Sequence, residues 1–201
     1  LGIPEEMSDQ LLKWSNSMVA VYQANISQEG KDLANQSSKE FFLYIKKYVA
    51  ERRSKPADDL ITHLINAEED NQKLNFDELV STCILLLNAG HEATVHTIGN
   101  GIKALLLNKV DCRFLKEKEW YGIVEEILRY DPPLHIFTRF AYENLTFDDV
   151  HIARGEKISL VIGASGQDER RWDKPSEFIP NRRPITHNSF GAGAHFCLGA
   201  P

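Results

Sequence analysis

The sequence is poor in several kinds of residue, and each shortage excludes something. It has three cysteines in 201 residues, Cys83, Cys112 and Cys197. Their odd number and wide spacing argue against a disulfide framework or a Cys-x-x-Cys zinc site and fit a reducing cytoplasm. Cations are in deficit, with 23 Lys and Arg against 29 Asp and Glu and a formal net charge of −6. Nothing therefore favours a nucleic-acid backbone as partner. Long apolar runs are missing too. The longest, from Cys83 to Leu87 and on into Asn88-Ala89-Gly90, is far too short to span a bilayer. No signal-peptide pattern opens the chain, so the expectation is a cytoplasmic protein that stays out of the membrane.

What remains is ordinary for a globular chain: 42% hydrophobic and 26% charged residues, in a length sufficient for one large domain. Leu1-Gly2-Ile3-Pro4 opens without a Met, and Pro201 follows a Gly-rich segment that reads as entering a helix. The expectation is a fragment.

Helical signals dominate the first two thirds. Pro4-Glu5-Glu6 suits a first helical turn, with Leu11, Leu12, Trp14, Met18 and Val19 following at helical spacing. The polar stretch from Val21 to Gln36 reads as holding a loop between helices. From Ser37 to Arg53, Phe41, Phe42, Ile45, Tyr48 and Val49 recur with a period near 3.6. A short helix is expected from Asp58 to Ala67 and a turn at Asp70-Asn71-Gln72. Asn75 and Glu78 form a capping-box pattern before a long helix, Phe76 to about Leu107, and another helix runs from about Trp120 to Tyr130 before Pro132-Pro133. Strand-like runs follow at Thr138–Ala141, Leu145–Phe147 and Lys157–Ile162.

The informative segment is Ser189-Phe190-Gly191-Ala192-Gly193-Ala194-His195-Phe196-Cys197-Leu198-Gly199-Ala200. Gly191 and Gly193 permit a tight loop with positive φ and a close approach to a flat ligand. Cys197 is placed near the start of a final helix, where the dipole and open N–H groups favour a thiolate. His195 is placed to hydrogen-bond a carboxylate beside that ligand. Other readings explain less. A Gly-x-Gly-x-x-Gly phosphate loop would need Gly where Phe196 stands. A cysteine protease needs a base and an oxyanion hole, and neither is evident. A buried structural cysteine is the commonest fate of a lone Cys, but it leaves the glycines and His195 unexplained.

Phe-Gly-x-Gly-x-His-x-Cys-x-Gly is the haem-thiolate signature of the cytochromes P-450, and Phe190 to Gly199 resembles it at every fixed position. With His187 and His195 the segment resembles the soluble bacterial members. The resemblance implies haem b held by Phe190, Gly191, Gly193, His195, Cys197 and Gly199, with Cys197 as the iron ligand. Such a thiolate pushes electron density onto the metal and favours O–O cleavage. Glu126-Ile127-Leu128-Arg129 resembles the family's Glu-x-x-Arg, and Phe178-x-Pro180-x-Arg182 the segment whose arginine completes a structural Glu-Arg-Arg lock. Arg139 corresponds to an arginine on a haem propionate, with His195 as a second partner.

Ala89-Gly90-His91-Glu92-Ala93-Thr94 resembles the oxygen-binding helix. There Ala89 and Gly90 would let the helix pass close over the haem, and Glu92 would feed protons through ordered water. The family usually has Thr next, where this chain has Ala93. Thr94 comes one step later, about 100° around the helix. Other departures are Leu107-Asn108-Lys109-Val110, which lacks a usual Pro, and Ala164-Ser165-Gly166-Gln167-Asp168, which differs from Ala-x-Asn-Arg-Asp. His63, His96, His135 and His151 are scattered and make no metal-ligand spacing. Glu68-Glu69-Asp70 and Asp148-Asp149 read as solvated loop charges.

The resemblance covers nearly the whole chain. It implies a mainly α fold with a small β portion: residues 1–201 would form part of a single cytochrome P-450 domain, incomplete at its amino-terminal part and extreme carboxy-terminus. The implied activity is insertion of one oxygen atom into a small organic substrate, with electrons from a separate ferredoxin or flavodoxin. Leu86, Asn88, Ala89 and His135 to Phe137 are the candidate substrate contacts. Two alternatives stand beside this reading: a truncated chain that binds haem poorly or not at all, and a peroxide-using haem-thiolate enzyme.

Overall fold

A short 3-10 turn at Glu5–Met7 leads into α1 (Ser8–Val19), and a second at Ala20–Tyr22 follows it. The computed structural model describes residues 1–23, 25–67, 73–111, 116–183 and 186–200. The turn expected at Asp70-Asn71-Gln72, the charges at Glu68-Glu69-Asp70, and Cys112 lie outside the described residues. Within the described residues the order continues α2 (Gln28–Ser54), α3 (Leu60–Asn66), α4 (Phe76–Leu107), α5 (Glu117–Tyr130), β1 (Ile136–Phe140), β2 (Leu145–Phe147), β3 (Val150–Ile152), β4 (Lys157–Val161) and the single turn α6 (Ile162–Ser165). The fold is mainly helical with a small β portion, as the sequence implies. No described helix is long and apolar enough to cross a membrane.

Caps decide where the helices begin. Ser27 takes the hydrogen bond of the Gly30 amide at 3.1 Å, so α2 starts nine residues before Ser37 and occupies much of the stretch expected to hold a loop. Gly30 is accommodated because a Cβ there would stand 2.7 Å from Ile26 Cγ1. The periodic residues Phe41, Ile45, Tyr48 and Val49 form its buried side as expected. Asp59 caps α3 by accepting the Thr62 amide at 2.8 Å. Asn75 Oδ1 accepts from the Asp77 and Glu78 amides at 3.0 Å each, while Glu78 Oε2 accepts from the Asn75 amide at 2.8 Å. That is the capping box read from the sequence.

Two compact units result, Leu1–His91 and Glu92–Pro201. In the first, Trp14, Phe41, Ile45, Val49, Ile61, Leu79, Val80 and Cys83 form a helical core. Trp14 and Phe41 stack with centroids 5.4 Å apart, and the indole N–H donates to Glu40 Oε2 at 2.9 Å. Arg52 Nε meets Asp59 Oδ2 at 2.5 Å, tying the end of α2 to the start of α3.

In the second unit, Ala104, Ile123, Ile127 and Phe178 form a smaller core. Gly101 matters there, because a Cβ would stand 2.8 Å from Ile127 Cδ1. β1 pairs antiparallel with β4, Thr138 opposite Ser159, and β2 pairs with β3, Phe147 opposite Val150. β1 begins at Ile136, two residues earlier than expected, because its register runs on to Val161. The sequence reading missed β3. Only Asp148 and Asp149 separate it from β2, with Asp148 at φ 49°, so the two acidic residues are the hairpin turn itself.

Replacing Ser27 by Ala removes the acceptor that sets the start of α2. The expected cost is about 1 kcal/mol in urea unfolding, with faster amide exchange confined to the first turn of α2. Unchanged exchange at Gly30 would show that the cap does not hold that end.

Candidate active site

The second unit is organised around one carboxylate. Glu126 and Arg129 stand one turn apart on α5, and both side chains are 0% exposed. Arg129 Nε donates to Glu126 Oε2 and Nη2 to Oε1, each at 2.8 Å, a bidentate pair. Arg182 Nε approaches the same two oxygens at 3.2 and 3.1 Å, and the Ile179 amide donates to Oε1 at 2.8 Å. Two guanidiniums against one carboxylate leave a net positive charge in the interior. Backbone carbonyls absorb it. Arg129 donates to the carbonyls of Gly166 (2.6 Å), Pro175 (2.9 Å) and Glu177 (3.2 Å). Arg182 donates to Asp173, Lys174 (3.1 Å) and Glu177 (2.9 Å). Gly166 is required here, since a Cβ would lie 2.1 Å from the Arg129 carbonyl oxygen. The three residues of the expected lock are therefore together, and their job is to pin the chain from 166 to 182.

That pinned segment leads to the cysteine loop. Ser189 is buried and its hydroxyl donates to the Leu128 carbonyl on α5. The Gly191 amide donates to Asn188 O at 2.8 Å, and the Cys197 amide to Phe190 O at 2.9 Å, which closes the loop on itself. Gly191 and Gly193 have φ of +74° and +71°, the left-handed backbone that the sequence requires of them. A single 3-10 turn, Gly193–His195, carries the chain to Cys197.

A turn starts at Cys197, with the Ala200 amide 3.3 Å from its carbonyl. The helix expected to begin near it would run past residue 200, outside the described residues.

The loop presents an open face. Cys197 is exposed, as are His195, Phe196 (53%) and Leu198 (85%). A Cβ at Gly193 or Gly199 would meet nothing within 4 Å. Phe190 packs edge-on against Phe196, with centroids 6.4 Å apart. A soft sulfur donor among apolar side chains and bare glycine backbone suits a flat apolar macrocycle. Among the described residues no three His, Cys, Asp or Glu cluster as metal ligands, and a haem iron would ask for a single protein donor, which Cys197 could supply. The residues present fit a haem.

β1 supplies the neighbouring wall. Phe137 Cε2 lies 3.7 Å from where a Gly191 Cβ would be, so the strand packs on the loop. Arg139 shares that strand face, its guanidinium 6.0 Å from the Phe137 ring centroid and donating to Thr138 O at 2.9 Å. Arg139 thus lies beside Phe137, the strand residue that packs on the loop carrying Phe190, Gly191, Gly193, His195, Cys197 and Gly199. The remaining candidates lie on α4. Ala89 and Gly90 are exposed in the first unit, and a Cβ at Gly90 would meet nothing within 4 Å. Glu92 is half-buried and Thr94 exposed, both at the start of the second unit. Thr97 Oγ1 donates to the Ala93 carbonyl at 2.8 Å, a back-bond of the kind that bends helices.

The profile of the cytochrome P450 family matches residues 5–111 and 122–201. The chain belongs to that family. The polyketide biosynthesis cytochrome P450 PksS of Bacillus subtilis is 42% identical over 204 residues, covering 100% of this chain and 49% of that protein. The solved structure of PksS superposes with a TM-score of 0.91 at 41% identity, over 100% of this chain and 51% of its own. A cytochrome P450 solved with an acyl carrier protein bearing hexadec-9Z-enoic acid, P450BioI, gives 0.91 at 34% identity, again over 100% of this chain and 52% of its own. The chain thus spans about half the length of the relatives it matches.

Sequence reading found the lock and the loop of this P450 but missed their fastenings. Ser189 and Phe137 carried no motif of their own, and His187 entered only as part of a resemblance. The signal available was a Ser and a His just before a Gly-rich turn, residue types that hydrogen-bond backbone.

Glu126→Ala leaves two buried guanidiniums without their carboxylate. Urea unfolding should show a loss of about 3–5 kcal/mol; a loss below about 1 kcal/mol would mean that the carbonyls alone hold the arginines.

Proposed function

We propose that Cys197 is the thiolate ligand of a haem b, and that the protein of which this chain forms part is a monooxygenase. It would insert one atom of dioxygen into a small organic substrate. The observation that carries this is the exposed Cys197 on a loop of positive-φ glycines, fixed to the Glu126–Arg129–Arg182 lock. Relatives carry names that agree, including a steroid C26-monooxygenase of Mycobacterium tuberculosis, 32% identical over 201 residues.

When bound, the haem supplies the oxygen-activating chemistry, and a thiolate ligand favours O–O cleavage. The chain's own residues do the rest. Gly191, Gly193 and Gly199 would leave the backbone bare enough for the macrocycle to approach, and Phe190 fixes the loop by accepting the Cys197 amide. Arg139 and His195 are the donors for its propionates. By the family resemblance, Ala89 and Gly90 would leave room for oxygen and substrate. Glu92, half-buried on α4, exchanges protons with ordered water near the site. Thr94 is the nearest hydroxyl in sequence, about 100° from the position of Ala93, and would act through an intervening water.

Electrons would come from a separate ferredoxin or flavodoxin-type donor. The substrate contacts are drawn from Leu86, Asn88, Ala89 and His135 to Phe137. The whole chain is read as part of one P450 domain working in the cytoplasm. Ala93, standing where the family carries a hydroxyl, supports a second reading in which peroxide replaces dioxygen and the redox donor. Turnover with peroxide and no reductase distinguishes it. The alternative of a chain that fails to hold haem draws on the half-length match and the exposed Leu198.

Cys197→Ala and Cys197→His decide the reading. The reduced, carbon monoxide-bound chain should show the strongly red-shifted Soret band of thiolate ligation. Cys197→Ala should abolish it, and Cys197→His should move it to the histidine position. A red-shifted band that survives in Cys197→Ala sinks the assignment. If the unaltered chain takes up no haem, the same variants in a full-length parent separate a wrong ligand from an incompetent piece.

A further inference from the structure

The cysteine loop has a fastening that neither the lock nor the haem reading uses. The Ser189 amide donates to His187 Nδ1 at 3.2 Å. A ring nitrogen that accepts carries no proton, so His187 is the neutral tautomer with its proton on Nε2. Its side chain is 4% exposed, and Nε2 lies 3.3 Å from Glu125 Oε2, at ion-pair distance but outside hydrogen-bond alignment. The ring packs 5.7 Å from that of Phe190. Phe190 in turn presents its carbonyl to the Cys197 amide at 2.9 Å. An unbroken series of contacts therefore runs from His187 through Ser189 and Phe190 to Cys197.

We propose that His187 is a positioning residue for Cys197: its bare Nδ1, by accepting the Ser189 amide, fixes the Phe190 carbonyl that orients the Cys197 backbone. The significance for iron ligation rests on the haem-thiolate reading; the clamp itself does not. Protonating Nδ1 would set an N–H against the Ser189 N–H, so the clamp exists only in the neutral ring.

The charged groups facing the ring all come from α5. Burial is the largest influence and lowers the His187 pKa; Glu125 and Glu126 raise it and Arg129 lowers it, with the balance downward. A lowered folded value means the clamp is complete above the ordinary histidine pKa of about 6.5 and is lost as pH falls through the lower folded value.

Asparagine provides the control, because its Oδ1 stands where Nδ1 does and does not titrate. The measurement is the alkylation rate of Cys197 by iodoacetamide in the full chain, read by peptide mass spectrometry. Each rate is divided by that of the same cysteine in the urea-unfolded chain. Between about pH 7.5 and 5.5 the ratio should rise about threefold to tenfold, the value of one buried hydrogen bond. His187→Asn should flatten the profile at the protected level, and His187→Phe should raise it at every pH. Nitrogen-15 spectra of the unaltered chain should show Nδ1 unprotonated and Nε2 protonated at neutral pH. A protonated Nδ1, or the same pH profile in His187→Asn as in the unaltered chain, overturns the proposal. Should His187→Phe fail to fold, the Asn profile and the nitrogen shifts decide alone. The carbon monoxide spectrum separates the two readings. If no thiolate band forms at any pH, the haem assignment fails, while the alkylation profile still judges the clamp.

Discussion

A carboxylate shut away from water between two guanidiniums is the constraint on which the second unit depends. Glu126 alone would be intolerable there, because stripping an ion of water costs several kcal/mol even after relaxation. With Arg129 and Arg182 bound to it the charge is reversed in sign rather than cancelled. The surplus positive charge is satisfied only if main-chain carbonyls converge on it from outside α5. That requirement turns an ion pair into a folding instruction: Gly166, Asp173, Lys174, Pro175 and Glu177 must all present their oxygens at one place. Hydrophobic contacts such as Tyr130 edge-on to Phe178 tolerate some sliding. A bidentate carboxylate pair and charged donors fixed on carbonyls tolerate very little. The irregular stretch between α6 and the cysteine loop has almost no regular secondary structure, and it is these bonds that give it a shape.

Much of this was legible. Phe190 to Gly199 announces itself because its glycines, histidine and cysteine sit at spacings few other sites would need. Glu126 and Arg129 are visible as an i, i+3 pair, and the long α4 follows from its capping box and apolar content. The failures are physical in origin. α2 extends back through a polar stretch because a single serine cap outweighs weak local propensity, and a cap is one residue in a long window. β3 escaped because a three-residue strand carries too little periodicity to register beside two acidic turn residues. The carbonyls that receive Arg129 and Arg182 were invisible, since any residue has one.

α4 shows where burial and pattern part company. Val95, Ile98, Ile102 and Leu106 recur at helical spacing, which from sequence reads as a buried stripe. All four are exposed. An apolar stripe in water contributes nothing to folding until something covers it.

Cys83 and Cys197 show how completely surroundings decide the chemistry of one residue type. Cys83 stands in the helical core among Phe41, Leu79 and Val80, and burial pushes its thiol up to about 11. At neutral pH it is a small hydrophobe with no thiolate to offer. Cys197 lies exposed at the end of a loop whose other polar bonds are spent on holding backbone. No cationic side chain is brought to its sulfur by any of those bonds. The work of the loop is placement: it delivers one exposed sulfur to an open face. A site built this way depends less on the residues that touch the sulfur than on those that hold its backbone: Phe190 directly, and Ser189 through the Leu128 carbonyl of α5.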